Sequence, residues 1–143
     1  MSCIDIFHYD YCFNNRIIYI VMTEELVTLE TAKMLKEKGF NEYCKNVIDV
    51  DSILSETLYR TNGNLPKQCF SLPTQSIAQK WLREVKNLHI CIYNTASGYS
   101  YEISKADNGT EVLCMPKGPN DGGKWDTYEE ALEAGIQEAL KLI

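Results

Sequence analysis

The residues of this chain best able to do chemistry fall into three groupings. The first is Gly118-Pro-Asn-Asp-Gly-Gly-Lys-Trp125, which comes after a strand-like run, precedes a helical one and matches G-x-x-x-x-G-K at Gly118, Gly123 and Lys124. In a phosphate-binding loop of that spacing the residue after the lysine is Ser or Thr, whose hydroxyl binds magnesium. Here it is Trp125, and Asp121 adds negative charge to the cradle. The helix start encoded at Thr127 also comes too late for its N-terminus to meet a phosphate. The expectation is an ordinary glycine-rich connection.

The second grouping is made of thiols and imidazoles. His89 and Cys91 share one face of a strand-like segment, and His8 and Cys12 form a second pair able to ligate zinc. Structural zinc sites use closely spaced cysteine pairs. The six cysteines, Cys3, Cys12, Cys44, Cys69, Cys91 and Cys114, are nowhere closer than nine positions apart. A Cys–His nucleophile would have to combine His89 with Cys44, Cys69 or Cys114, and no sequence signature links them. The third grouping is Asp49 with Asp51, which could hold a cation or act as an acid–base pair but reads better as a solvated loop. No catalytic, cofactor-binding or metal-binding residue is therefore expected. The alternative is a small enzyme or ligand-binding protein centred on His89, Cys91 and the 118–125 loop.

Charge narrows the possible partners. Asp and Glu outnumber Lys and Arg by 20 to 14, giving a net charge of -6 and a pI near 4.9. Nucleic acid requires clustered Lys and Arg. The best cluster, Lys80, Arg83 and Lys86, is interrupted by Glu84 and reads as a solvated helix face, where Lys80 and Glu84 form an i,i+4 pair. The longest apolar run, Ile17–Met22, is six residues, against about 20 for a membrane span. Neither nucleic acid nor membrane is an expected partner. Without a secretory signal, six cysteines at these spacings read as small buried hydrophobes in a reducing compartment. Tyr93, Tyr99, Tyr101 and Trp125 are of the types that dominate protein interfaces, although Tyr99 and Tyr101 read better as core.

The elements that must position these residues are legible from capping and periodicity. A helix is expected over 29–38, capped by Thr28 and closed by Gly39 with Phe40 against Leu35, its apolar face being Leu29, Ala32 and Leu35. Residues 41–70 offer a short strand at Asn46–Asp51, a turn at Asn62-Gly63-Asn64 and a loop tied down through Cys69 and Phe70. A second helix runs from Pro73 or Thr74 to Lys86, with Ile77, Trp81, Leu82 and Val85 inward. Two strands come next, at 89–94 and 99–105. Asp107-Asn108-Gly109-Thr110 suggests a type I′ hairpin, with Ile103 opposite Cys114 and Lys105 opposite Val112. Thr127 and Glu130 form a capping box for a last helix over 128–142, whose buried stripe is Tyr128, Leu132, Ile136, Ala139, Leu140 and Ile143. Glu133 is assigned to its solvated side, and Gly135 to a close approach by another backbone.

Residues 1–21 differ in texture from the rest of the chain. They are aromatic-rich and lack helix caps, and Met22 opens a stretch that reads as a natural start. Translation from Met22 is expected to give a 122-residue domain over 22–143, with 1–21 a leader whose RIIYIV segment could add an edge strand or stay loosely attached.

Three segments, VTLETAKMLKEKGFNEYC (27–44), PTQSIAQKWLREVKNLHI (73–90) and WDTYEEALEAGIQEALKLI (125–143), together resemble a group of small proteins encoded by phages and prophages of gut Bacteroides-type bacteria. The resemblance implies a genomic setting, and hence a bacterial host cytoplasm. It brings no activity, cofactor or catalytic residue with it. The fold expected is a single α+β domain: two helices, a meander of about three antiparallel strands, and a C-terminal helix across one sheet face. Trp81, Leu82, Tyr101, Ile103, Leu132, Ile136 and Leu140 should share its core. The function expected is that of an accessory protein that binds a protein partner.

Overall fold

The structure is a computed structural model that describes residues 22–143 and, of the preceding segment, the backbone of 9–13 and 16–20. In that segment β1 (Tyr9–Phe13) pairs antiparallel with β2 (Arg16–Ile20), Tyr9 opposite Ile20. The expected RIIYIV strand is thus paired with its own neighbour, and Val21 lies outside the described residues.

Three helices obey the caps read in the sequence: α1 (Leu29–Glu37), α2 (Gln75–Val85) and α3 (Tyr128–Lys141). Thr28, Thr74 and Thr127 each accept a hydrogen bond from the backbone N–H three residues on, and Glu130 completes the capping box on α3. At the end of α1, Gly39 adopts φ +90°, the Gly39 N–H donates to Lys36 and the Phe40 N–H to Leu35. This pair of bonds satisfies carbonyls that the helix leaves open.

Two three-stranded antiparallel sheets complete the fold. The sheet β6 (Leu88–Thr95), β7 (Gly98–Lys105) and β8 (Glu111–Leu113) is the expected meander. Its inner face packs Leu88, Ile90, Tyr101 and Ile103 against α3 and α2. The second sheet, in the order β4 (Leu54–Arg60), β3 (Cys44–Asp49), β5 (Cys69–Ser71), lies between α1 and α2 in sequence. Of these strands the sequence pattern announces only β3. The seven residues expected to share the core are all buried. The chain is thus an α+β domain in which three helices close over a small sheet.

Six local expectations need correction. In α2 the buried positions are Gln75, Ala78, Trp81 and Leu82, whereas Ile77 and Val85 are 41% and 58% exposed. The inward face is centred on the fully buried Ala78, and Gln75 is held inward by bonds to Glu129 and Glu133 of α3, so Ile77 and Val85 fall on the outer side. Lys80 and Glu84 make no ion pair within 4 Å; instead Lys86 lies over the Trp81 ring at 5.3 Å. In the last hairpin, Ile103 lies opposite Leu113 and Ser104 opposite Glu111, with a bulge between them. A type I′ turn needs positive φ at both loop residues, and only Gly109 has it, because Asn87 seizes the loop by bonding Ala106 and Asp107. In α3, Gly135 is crowded by the side chains of Ile90 and Tyr101 rather than by a backbone, while Tyr128 is exposed.

Candidate functional site

The Gly118–Trp125 segment forms a closed loop that docks on the start of β7. Gly118 N–H donates to Gly123, Gly123 N–H to Asn120, Asn120 N–H to the Lys124 carbonyl, and Lys124 N–H to Asn120 Oδ1. Trp125 and Tyr99 exchange both backbone bonds, at 2.8 and 3.0 Å. The N–H groups of Asn120, Gly123 and Lys124, which a phosphate cradle could present, are thus spent inside the loop. Its glycines serve packing: a Cβ at Gly118 would lie 2.5 Å from the Lys124 carbonyl, and one at Gly122 would lie 2.5 Å from Ser97 Cβ. Lys124 Nζ reaches back to the buried Ser100 hydroxyl. Trp125 covers Tyr101 with ring centroids 5.2 Å apart, and Tyr99 packs edge-on against Tyr128.

His89, Cys91 and Tyr93 lie on the outer face of β6, half-buried, opposite Ser104, Glu102 and Ser100. His89 and the Tyr99 anchor of the 118–125 loop sit at opposite ends of this strand pair, Tyr99 being opposite Asn94. Five residues of strand separate those positions, about 17 Å. Two surface depressions occur elsewhere: one of about 280 Å³ lined by Lys36, Phe40, Asn41 and Asn62, and one of about 160 Å³ lined by Glu25, Gln75, Glu129 and Glu133. Neither includes His89, Cys91 or the loop. No group of three or more His, Cys, Asp or Glu among the described residues could hold a metal. His8 and the side chain of Cys12 lie outside the described residues.

Cys44, Cys69, Cys91 and Cys114 are free thiols. Cys44 belongs to the core, as expected of a small hydrophobe, and burial, with the Glu42 charge adding to it, pushes its thiol up to about 11. Cys114 is exposed instead, beside β8, and a hydrogen bond to Glu111 raises its pKa. Burial and then Glu138 push the Tyr101 phenol up to about 12. Cys44 and Tyr101 ionise more easily in the unfolded chain, from ordinary values of 9.0 and 10.0. Their contribution to stability is whole below about pH 9 and is lost as pH rises from there through 11 and 12. Melting temperatures should therefore hold level from neutral pH to about 9 and fall above it, with Cys44→Ala removing the earliest part of the fall. A profile that stays level to pH 11 contradicts this.

Asp49 is absorbed by structure. Its Oδ1 accepts from the backbone N–H groups of Asp51 and Ile53 at 2.8 and 3.0 Å, fastening the β3–β4 turn. Asp51 is exposed at the tip of that turn. Glu133, assigned to solvent, is instead the hub of the three helices. Its Oε1 accepts from the Thr28 N–H, the Thr28 hydroxyl and the Thr31 hydroxyl, and its Oε2 from Gln75 Nε2. These donors come from residues more than fifty positions away, so no local signal marks them.

The feature missed most completely is an apolar ridge along β4 and its turn. Val50, Ile53, Leu54, Leu58 and Tyr59 are exposed, Leu58 to 94%, and so is Tyr43, just ahead of β3. β4 is the edge of its sheet, and Tyr59 takes a left-handed φ of +44° where the register with β3 slips. The run Ile53-Leu-Ser-Glu-Thr-Leu-Tyr59, bounded by Ser52 and Asn62-Gly63, carries the β-forming residue types that could have revealed it.

No helix among the described residues is long and apolar enough to cross a membrane. Comparison with protein-family models, with curated proteins and with solved structures finds no match to this chain.

Proposed function

We propose that the chain is a non-enzymatic accessory module that binds a protein partner through β4, acting in the cytoplasm of a bacterial host as a phage- or prophage-encoded protein. The observation that carries this reading is the β4 ridge. Exposed apolar side chains along a sheet edge that pairs with no further strand among the described residues offer both area to bury and backbone groups to another chain. Free thiols at all four described cysteines support a reducing compartment. The resemblance of three sequence segments to phage-encoded proteins supports the setting.

The test is capture, then reconstitution. A host protein retained by the purified chain, lost with Leu58→Asp and shown to bind directly once purified, supports the reading. Turnover of a small molecule, or a rise in melting temperature with a nucleotide or divalent cation, would favour chemistry at His89, Cys91 and the 118–125 loop and would overturn it.

A further inference from the structure

Resting on the reading of β4 as a working surface, we propose that its occupant is a second copy of this chain, joined β4 to β4 in antiparallel across a two-fold axis at Glu56. The phase of the ladder identifies which groups are free. Asp49 N–H donates to the Ile53 carbonyl at 3.2 Å, and Ile48 lies opposite Leu54, Val47 opposite Ser55 and Asn46 opposite Glu56. Hydrogen-bonded and non-hydrogen-bonded pairs alternate in an antiparallel ladder. Ser55 is therefore bonded inward to β3, while Leu54 and Glu56 direct their N–H and C=O groups toward the open edge. A two-fold axis at Glu56 pairs the free groups of Glu56 with those of its own copy. It also sets Leu54 of each copy against the partner's Leu58, twice over.

Charge selects the same arrangement. The turn at one end of β4 carries Asp49 and Asp51, and the other end carries Arg60. Antiparallel pairing of two copies brings each acidic turn beside the other copy's Arg60. Pairing in parallel would set like ends together. The cost lies at the axis, where Glu56 meets its own copy. Each Glu56 already holds Lys45 of its own chain at 3.3 Å, which offsets part of that repulsion.

Six side chains form the patch, Tyr43, Val50, Ile53, Leu54, Leu58 and Tyr59. At roughly 100 Å² each they supply about 600 Å² per copy, somewhat under the ~800 Å² of a standard interface. The bulge at Tyr59 also ends the ladder early. The dimer should be reversible, with Kd on the order of micromolar.

Sedimentation velocity on the full chain, from about 1 to about 300 μM to bracket that affinity, tests the proposal. The wild type should pass from monomer to dimer, and Leu58→Asp, with an unchanged melting temperature, should weaken association at least tenfold. In a Cys114→Ser background, Glu56→Cys should form an intermolecular disulfide on mild oxidation, because Cα atoms of a hydrogen-bonded pair lie about 5.5 Å apart. Lys67→Cys, exposed and off the patch, should not. The disulfide readout stands even if Leu58→Asp fails to fold. A wild type monomeric throughout, or a dimer indifferent to Leu58 whose Glu56→Cys form does not cross-link, overturns the proposal. A monomeric wild type that still binds a different protein through Leu58 sinks the second copy alone and leaves the interaction reading standing.

Discussion

Gly98→Ala should cost this protein about 3–5 kcal/mol, a large share of the 5–15 kcal/mol that holds a domain of this size together. A Cβ at Gly98 would lie 2.4 Å from the Trp125 carbonyl oxygen and 3.3 Å from its carbon, both backbone atoms that cannot turn aside. The position also has φ +126°, which a side chain rarely tolerates. Relieving the clash means moving Trp125 off Tyr99. That breaks both backbone bonds between them and lifts the indole from Tyr101. Gly109→Ala is the control: its φ is +72°, yet nothing lies within 4 Å of its Cβ, so only about 1 kcal/mol of backbone strain is expected. Thermal melts should show a fall of about 10 °C for Gly98→Ala and a few degrees for Gly109→Ala. Equal effects would show that the loop is not pinned at Gly98.

Glu133→Ala should cost about 2–3 kcal/mol in urea unfolding although it removes a side chain outside the core. It strips the acceptor from Thr31, which is fully buried, and from Gln75, which is 5% exposed. Some donors keep second partners: Gln75 Nε2 also donates to the Glu129 carbonyl, and the Thr31 hydroxyl lies 3.1 Å from Thr28 Oγ1. These limit the loss and set its upper end. Glu133→Gln retains one oxygen for Thr28 and Thr31 but turns an amide toward Gln75, so it should lose about half as much. A change under 0.5 kcal/mol for Glu133→Ala would mean that water replaces the hub at no cost.

These two sites also mark where reading the sequence succeeds and where it stops. Helix starts at Thr28, Thr74 and Thr127 are legible because each cap bonds an N–H only three residues away. The alternation of β6 and β7 is legible because one face is buried. Glu133 is not, since its donors sit on other helices. The register of β7 with β8 escapes a local reading because Asn87, twenty residues upstream, holds the loop that turn chemistry assigns to Asn108 and Gly109. β4 escapes because its apolar residues face solvent and so leave no amphipathic pattern. Of the chemical candidates, the P-loop-like spacing has glycines with structural reasons of their own: Lys124 and Ser97 crowd the Cβ positions of Gly118 and Gly122, and Gly123 has φ +70°. The ridge that carries the functional reading came from the structure alone.

The central claim is that β4 is the working surface. The most direct measurement is photo-cross-linking in host extract from position 58, with position 80, exposed on α2 and away from the ridge, as reference. Discrete protein adducts are expected from position 58, either a second copy or a distinct partner as read by mass, and none above background from position 80. Adducts from position 80 with none from position 58 would contradict it.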